Sequence, residues 1–114
     1  MMSPITTHVL DTALGRPAVG LRVRLDVLDG DGHARTVAER LTNDQGRILD
    51  FVAPGTLGAR TYRLTFDTGG YFAASGRPHF FPHVDVVFTV ADADEHHHIP
   101  LLLSPFGYST YRGT

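Results

Sequence analysis

Residues 96–104, which read HHHIPLLLS, decide the fold of this chain. In an extended strand, successive side chains point to opposite faces, so residues two apart share a face. One face then carries three aliphatic side chains that must be buried: Ile99, Leu101 and Leu103. The opposite face carries His98, Pro100 and Leu102. Because the outward face of a sheet is usually polar, this partly apolar face predicts a partner surface.

Strand signals recur along the rest of the chain and are separated by turn residues. They cover residues 5–10, 19–27, 35–42, 47–51, 62–66, 84–90 and the segment after residue 104. In the most regular segment every second residue is apolar: Val19, Leu21, Val23, Leu25 and Val27. One short helix is expected at residues 68–76, with Thr68 as its cap and Gly76 as its stop. About eight short strands and one short helix predict an all-β fold, an antiparallel β-sandwich in a single domain over residues 1–114.

The composition excludes several classes of function. Hydrophobic residues make up 42% and charged residues 19%, as in a globular domain, and the net charge of -2 argues against a nucleic-acid partner. All ten basic side chains are arginine, which excludes a lysine Schiff base. The absence of cysteine excludes thiol catalysis, thiolate metal sites and disulfides. The sequence shows no leader pattern and no stretch of membrane-spanning length, so we expect a cytoplasmic protein with no membrane partner.

Histidine is the main candidate for chemistry, since the chain has seven histidines and three are consecutive. An imidazole can accept and return a proton near neutral pH. His96 and His98 share a face and could hold Zn²⁺ together with His8, although any one histidine is more often structural or solvated. Neither Ser104 nor Ser109 lies in a nucleophile elbow. Four aspartates are expected to be solvated at strand ends and turns: Asp11, Asp26, Asp29 and Asp31.

Four parts of the sequence together resemble one protein family. They are THVLD with GRPA at residues 7–11 and 15–18, NDQGR at 43–47, HHHIPLLLSP at 96–105, and YRGT at 111–114. Over nearly its whole length the chain resembles the transthyretin-related proteins, and within them the 5-hydroxyisourate hydrolases. That branch is distinguished by two histidines, an arginine and a terminal Tyr-Arg-Gly-Ser or Tyr-Arg-Gly-Thr, all of which are present. The chain departs from the family at Arg16, where lysine is frequent, and at His97, where an aromatic residue is usual.

The resemblance implies a transthyretin-like sandwich that assembles as a homotetramer, a dimer of dimers, with active sites in a channel between the dimers. The implied substrate is 5-hydroxyisourate, whose ring is opened by water to give 2-oxo-4-hydroxy-4-carboxy-5-ureidoimidazoline. It also implies that the reaction uses no cofactor and no metal.

The same resemblance assigns roles to five residues. His8 and His98 are the pair that activates water and carries the proton. Arg47 holds the anionic substrate and the oxyanion that develops on it, a task suited to a permanently charged planar group. Tyr111 and Thr114 line the channel and bind substrate.

Two other classes of function remain open from the sequence. A small-ligand carrier of the transthyretin type would have the same sandwich and channel without catalysis, because fold does not determine function. A zinc-dependent hydrolase built on the histidines is the third interpretation.

Overall fold

The computed structural model describes residues 3–114, which form nine strands and one helix. In chain order these are β1 (Ile5–Asp11), β2 (Arg16–Pro17), β3 (Arg22–Leu28), β4 (Ala34–Leu41), β5 (Arg47–Ile48), β6 (Thr61–Phe66), α1 (Thr68–Ala74), β7 (Val84–Thr89), β8 (His97–Ser104) and β9 (Gly107–Thr110). The all-β architecture with one short helix is confirmed. Two of the nine strands, β2 and β5, have only two residues each.

The strands form two sheets. One has the order β4-β3-β6-β7, and every pair in it is antiparallel. The other has the order β2-β1-β8-β9, with β5 paired to β1 beside β2. Its central pair, β1 with β8, is parallel. Alternation along a strand does not report which strand it pairs with, so this one parallel pair was not predicted.

The core lies between the sheets and contains the predicted face of β8. Ile99, Leu101 and Leu103 are 6%, 0% and 1% exposed, respectively. On the opposite face His98 and Leu102 are half-buried, and Pro100 is buried within the chain. The predicted apolar outer face is therefore smaller than the sequence suggested.

Val19 was wrongly placed in the core. Its side chain is 52% exposed, and the strand begins only at Arg22. The reason is Gly20, whose φ of 75° breaks the extended run between Val19 and Leu21.

The N-cap of helix α1 lies one residue before Thr68, the cap that the sequence predicted. Asp67 is the N-cap, and its carboxylate accepts a hydrogen bond from the backbone N–H of Gly70. The Thr68 hydroxyl is buried and donates to the Phe81 carbonyl instead. Within the described residues no helix has the length and hydropathy that a membrane span requires, and α1 has seven residues.

Asp11 and Asp26 are not solvated, contrary to the expectation from sequence. Asp11 is 0% exposed and accepts hydrogen bonds from Arg77 Nη1 at 2.7 Å and Tyr71 Oη at 2.8 Å. Asp26 is 1% exposed and accepts from Arg63 at 2.8 Å. Burial by itself raises the pKa of Asp11, but the hydrogen bonds from Arg77 and Tyr71 outweigh it and lower that pKa below 3.8. The Asp11 carboxylate thus ties the end of β1 to α1 and the segment after it.

Replacing Asp11 by alanine is expected to destabilise the fold by about 3 kcal/mol, because it leaves the Arg77 charge without its partner. Since the folded pKa lies below 3.8, the contribution of Asp11 is present above that pH and is lost as the pH falls further. Urea unfolding measures the change in free energy. The exposed Asp29 serves as control, and Asp29→Ala should stay within about 0.5 kcal/mol of the wild type. An equally small change for Asp11→Ala would show that the network contributes little.

Candidate active site

His8 and Arg47 lie directly opposite each other across two paired strands. The register of β1 with β5 pairs His8 with Arg47 and Thr7 with Ile48. The His8 and Arg47 side chains therefore point out from the same outer face of the sheet. Side chains opposite each other in this way have Cβ atoms roughly 5 Å apart.

The turn before β5 holds Arg47 in this position. The Asn43 side-chain oxygen accepts from the N–H groups of Gln45 and Arg47, both at 2.9 Å. Gly46 has φ 74°, and its carbonyl oxygen accepts a hydrogen bond from the Val9 N–H at 2.8 Å. A Cβ at Gly46 would lie 2.5 Å from the Val9 carbonyl oxygen, so only glycine lets the turn pack against β1.

His98 reaches the same face from the other side of β1. The parallel register pairs Thr6 with His98 and His8 with Pro100, so β1 lies between β5 and β8. A parallel register keeps side-chain faces aligned, which places Arg47, His8 and His98 on one surface. The structure therefore brings together the three predicted catalytic residues.

Thr6 joins two histidines on this surface. Its hydroxyl oxygen lies 2.8 Å from His98 Nδ1 and 2.9 Å from His96 Nε2. The two imidazole rings are nearly parallel, with centroids 6.2 Å apart and an angle of 24° between their planes. Thr6 itself is 1% exposed, so the hydroxyl is screened from water by the rings it holds.

Both candidate bases have a lowered pKa. Burial is the main cause for His8, followed by the positive charge of Arg47, and both effects outweigh a contact with the Gln45 carbonyl. Burial is also the main cause for His98, followed by the charges of His96, Arg47 and His8. Each pKa lies below the ordinary value of 6.5, so both imidazoles are mostly neutral at pH 7 and can accept a proton.

The end of the chain packs beside His98. The Gly113 N–H donates to the His98 carbonyl at 2.8 Å, forming a bridge beyond β9. A Cβ at Gly113 would lie 2.6 Å from Cδ2 of the His98 ring, so the backbone there is in close contact with the imidazole. Tyr111 and Arg112 line a cleft of about 200 Å³ together with His98.

Tyr111 and Thr114, the two substrate-binding residues predicted at the terminus, lie in different surroundings. Tyr111 is 57% exposed and shares the cleft with His98, and Thr114 is exposed at the end of the chain next to Gly113. Arg112 forms an ion pair with Glu95 at 2.7 Å.

Sequence reasoning missed the role of Thr6. The alternation of β1 puts Thr6 on the face of His8, but only the parallel register with β8 places it beside His98. The sequence suggests His96 only as a metal ligand, whereas in the structure its Nε2 is hydrogen-bonded to Thr6.

Among residues 3–114, no group of three or more His, Cys, Asp or Glu side chains is arranged to hold a metal ion. The arrangement of His96 and His98 around the Thr6 hydroxyl uses one nitrogen of each ring for hydrogen bonding instead.

The fold and this surface define a class: a transthyretin-like β-sandwich that presents two imidazoles and a guanidinium on the outer face of one sheet. Accordingly, the chain belongs to the HIUase/Transthyretin family, which it matches over residues 5–113.

The proteins similar to this chain include both 5-hydroxyisourate hydrolases and transthyretins. The chain is 50% identical to 5-hydroxyisourate hydrolase 2 of Rhizobium meliloti, over 96% of this chain and 95% of that protein. It superposes on the 5-hydroxyisourate hydrolase of Klebsiella pneumoniae with a TM-score of 0.86 at 41% identity, covering 96% of this chain and 97% of that one. It also superposes on transthyretin from Sparus aurata with a TM-score of 0.91 at 30% identity, covering 96% of each chain. Backbone similarity is thus as high to a transthyretin as to a hydrolase, so the side chains must distinguish the two.

Proposed function

We propose that this chain is an enzyme that hydrolyses 5-hydroxyisourate, opening its ring to 2-oxo-4-hydroxy-4-carboxy-5-ureidoimidazoline. The observation that carries the proposal is the placement of His8, Arg47 and His98 on one face by two separate strand pairings. The high identity to proteins named 5-hydroxyisourate hydrolase supports the choice of substrate.

The chemistry begins with water activation by the imidazole pair. Hydrolysis of a ring amide needs a base to take a proton from water and a donor for the leaving nitrogen. His8 and His98 are suited to both tasks, because their lowered pKa values keep them neutral and ready to accept a proton at pH 7. The proton that one imidazole takes from water is then available for the leaving nitrogen.

Arg47 supplies the positive charge in this mechanism. As water attacks, negative charge develops on the carbonyl oxygen, and a guanidinium can hold both that oxygen and an anionic ring. Arg47 lies opposite His8, so substrate bound to it would be placed beside the base.

The terminal residues complete the site in this proposal. Tyr111 contacts the flat substrate ring and Thr114 adds a polar contact near His98. Support comes from the backbone of Gly113, which holds this end of the chain against the His98 ring.

We further propose a homotetramer, a dimer of dimers, with the histidine face lining a channel between dimers. Large apolar side chains are exposed around the β8–β9 turn, with Phe80, Phe106 and Tyr108 at 71%, 69% and 44% exposure. Such a cluster is typical of a surface that a partner covers. Sedimentation equilibrium tests the assembly, and a monomer at micromolar concentration would contradict it. The cytoplasmic location and the single-domain organisation over residues 1–114 stay predictions from the sequence.

The experiment that tests the function is the decay of 5-hydroxyisourate absorbance with and without the protein. Acceleration by catalytic amounts of protein, unchanged after treatment with a chelator, supports a metal-free hydrolase. Stoichiometric binding with no acceleration would favour a carrier of the transthyretin type. Loss of the acceleration on chelation, with recovery on adding Zn²⁺, would favour the zinc-dependent hydrolase.

The pH dependence gives a second prediction. Activity requires neutral imidazoles, so kcat/KM is expected to fall as the pH decreases through their pKa values in the folded protein. Because burial and the nearby charges lower both values, the acid limb should lie below pH 6.5. A pH profile of kcat/KM in buffers of constant ionic strength measures it. An acid limb at or above pH 6.5 would contradict the assignment of His8 and His98 as bases.

A further inference from the structure

The Thr6 hydroxyl is shared by two imidazoles, and this limits where their protons can be. A hydroxyl has one proton to donate, while its oxygen can accept from another donor. With both ring nitrogens within 2.9 Å, a fully hydrogen-bonded arrangement has one imidazole donating to Thr6 and the other accepting from it. Only two such arrangements exist when both rings are neutral.

In the first arrangement His98 Nδ1 carries the proton and donates to Thr6, and Thr6 donates to His96 Nε2. The other nitrogen of His98, Nε2, then has a free lone pair. In the second arrangement every proton is shifted, so His96 donates to Thr6, Thr6 donates to His98 Nδ1, and His98 Nε2 carries a proton. The first form of His98 is a base, and the second is a proton donor.

We propose that Thr6 is a positioning residue that keeps His98 in its basic tautomer, and that it relays a proton from His98 to His96 during the reaction. The proposal rests on the function proposed above, because it assigns the working tautomer of the same site.

The proton balance closes over one cycle. His98 Nε2 takes a proton from the attacking water as the water oxygen bonds to the ring carbonyl carbon. The Nδ1 proton of His98 passes to Thr6, and the Thr6 hydroxyl proton passes to His96 Nε2, which becomes cationic. When His98 Nε2–H protonates the leaving nitrogen and the ring C–N bond breaks, both shifts reverse and the starting arrangement returns.

The surroundings of the two rings favour this direction of transfer. His98 is half-buried and faces the permanent positive charge of Arg47, so a cation held there is unfavourable. His96 is exposed, so water stabilises a positive charge on it. The main-chain carbonyl of Thr6 also contacts the His98 ring. Since a carbonyl only accepts hydrogen bonds, this contact favours a proton on Nδ1, the ring nitrogen that faces Thr6.

A purely structural role for Thr6 would be to hold the rings in place by packing. Valine tests this, because Thr6→Val keeps the branched shape and removes the hydroxyl, whereas Thr6→Ser keeps the hydroxyl. Thr65→Val is the matched control, since the Thr65 hydroxyl oxygen is buried without a hydrogen-bond partner among the described residues. His96→Gln tests the far end of the relay, because glutamine can accept the Thr6 hydrogen bond but cannot take the proton.

Two readouts are needed. The first is the ¹⁵N NMR spectrum of the His98 ring without substrate at about pH 8.5, roughly two units above the ordinary imidazole pKa, where tautomers can be distinguished. The second is steady-state kinetics with 5-hydroxyisourate. We expect the Nδ1–H tautomer of His98 in the wild type and in Thr6→Ser, and a gain of Nε2–H in Thr6→Val. We expect kcat to fall about tenfold or more in Thr6→Val and His96→Gln with little change in KM, to recover in Thr6→Ser, and to stay unchanged in Thr65→Val.

The outcomes separate this inference from the proposed function. A wild-type His98 found mainly as Nε2–H, or Thr6→Val with unchanged tautomer and kcat, would overturn the inference while hydrolysis stands. If His96→Gln keeps the wild-type kcat, the relay is overturned. The expected tautomer change in a protein that does not hydrolyse 5-hydroxyisourate would overturn the proposed function and leave the hydrogen-bond assignment intact.

Discussion

Replacing His98 by asparagine is expected to lower kcat for 5-hydroxyisourate hydrolysis by about a thousandfold, with the fold unchanged. An asparagine amide places a polar atom near the position of His98 Nδ1, so the hydrogen bond with the Thr6 hydroxyl can be kept. Nothing in asparagine replaces Nε2, so the variant loses the atom that takes the proton from water. Steady-state kinetics gives the change in kcat, and urea unfolding shows whether stability is preserved.

The same substitution at two other histidines makes the test specific. His8→Asn is expected to lose rate to a similar extent, because His8 lies opposite Arg47 on the same face. His33→Asn is the control, since the His33 side chain is 80% exposed in the segment between β3 and β4, which belong to the other sheet. Wild-type turnover in His98→Asn, or an equal loss in His33→Asn, would refute the assignment of the imidazole pair.

Much of the fold could be predicted because burial follows the period of the strand. The alternation in residues 96–104 correctly separated Ile99, Leu101 and Leu103 from the outer face. The same rule failed at Val19, where the positive φ of Gly20 ends the extended run. Periodicity reports which way a side chain points only while the backbone stays extended.

Pairing between distant strands could not be predicted in the same way. β1 and β8 are about ninety residues apart, and neither alternation nor turn chemistry specifies a parallel register between them. Without that register, Thr6 is an ordinary strand threonine and His96 an exposed histidine. Asp11 was misjudged for the same reason, since its partners Tyr71 and Arg77 lie some sixty residues further along the chain.

The candidate site was predicted through the family resemblance more than through spacing. Residues 8, 47 and 98 are far apart in sequence, and the histidines alone left hydrolysis, metal binding and a carrier open. The structure adds a physical reason for the grouping, because β1 is paired with β5 on one side and with β8 on the other. Since a transthyretin shares the backbone, function in this fold depends on which side chains occupy that central face.

Gly113 has no side chain that could take part in the reaction, yet Gly113→Ala is expected to lower kcat by about a hundredfold. The Gly113 N–H is bonded to the His98 carbonyl at 2.8 Å, which fixes the distance between the chain end and β8. A methyl group added there would lie 2.6 Å from Cδ2 and 3.3 Å from Cγ of the His98 ring. The φ of Gly113 is not positive, so alanine can adopt the backbone and the main effect is displacement of the imidazole. A displacement of about 1 Å at a reacting group can cost about a hundredfold in rate.

The measurement combines kcat with the position of the ring. The His98 ring resonances should shift in Gly113→Ala, and kcat should fall more than KM changes. Gly107→Ala, in the β8–β9 hairpin that precedes the terminal segment, is the matched control, because a Cβ at Gly107 has only Ser104 Oγ nearby, at an ordinary 3.7 Å. Wild-type kcat with unshifted His98 resonances in Gly113→Ala would show that the terminus moves aside without affecting the base. A shifted ring with a reduced kcat would give a physical reason for glycine at position 113. The backbone there packs directly against the His98 imidazole and leaves no room for a Cβ.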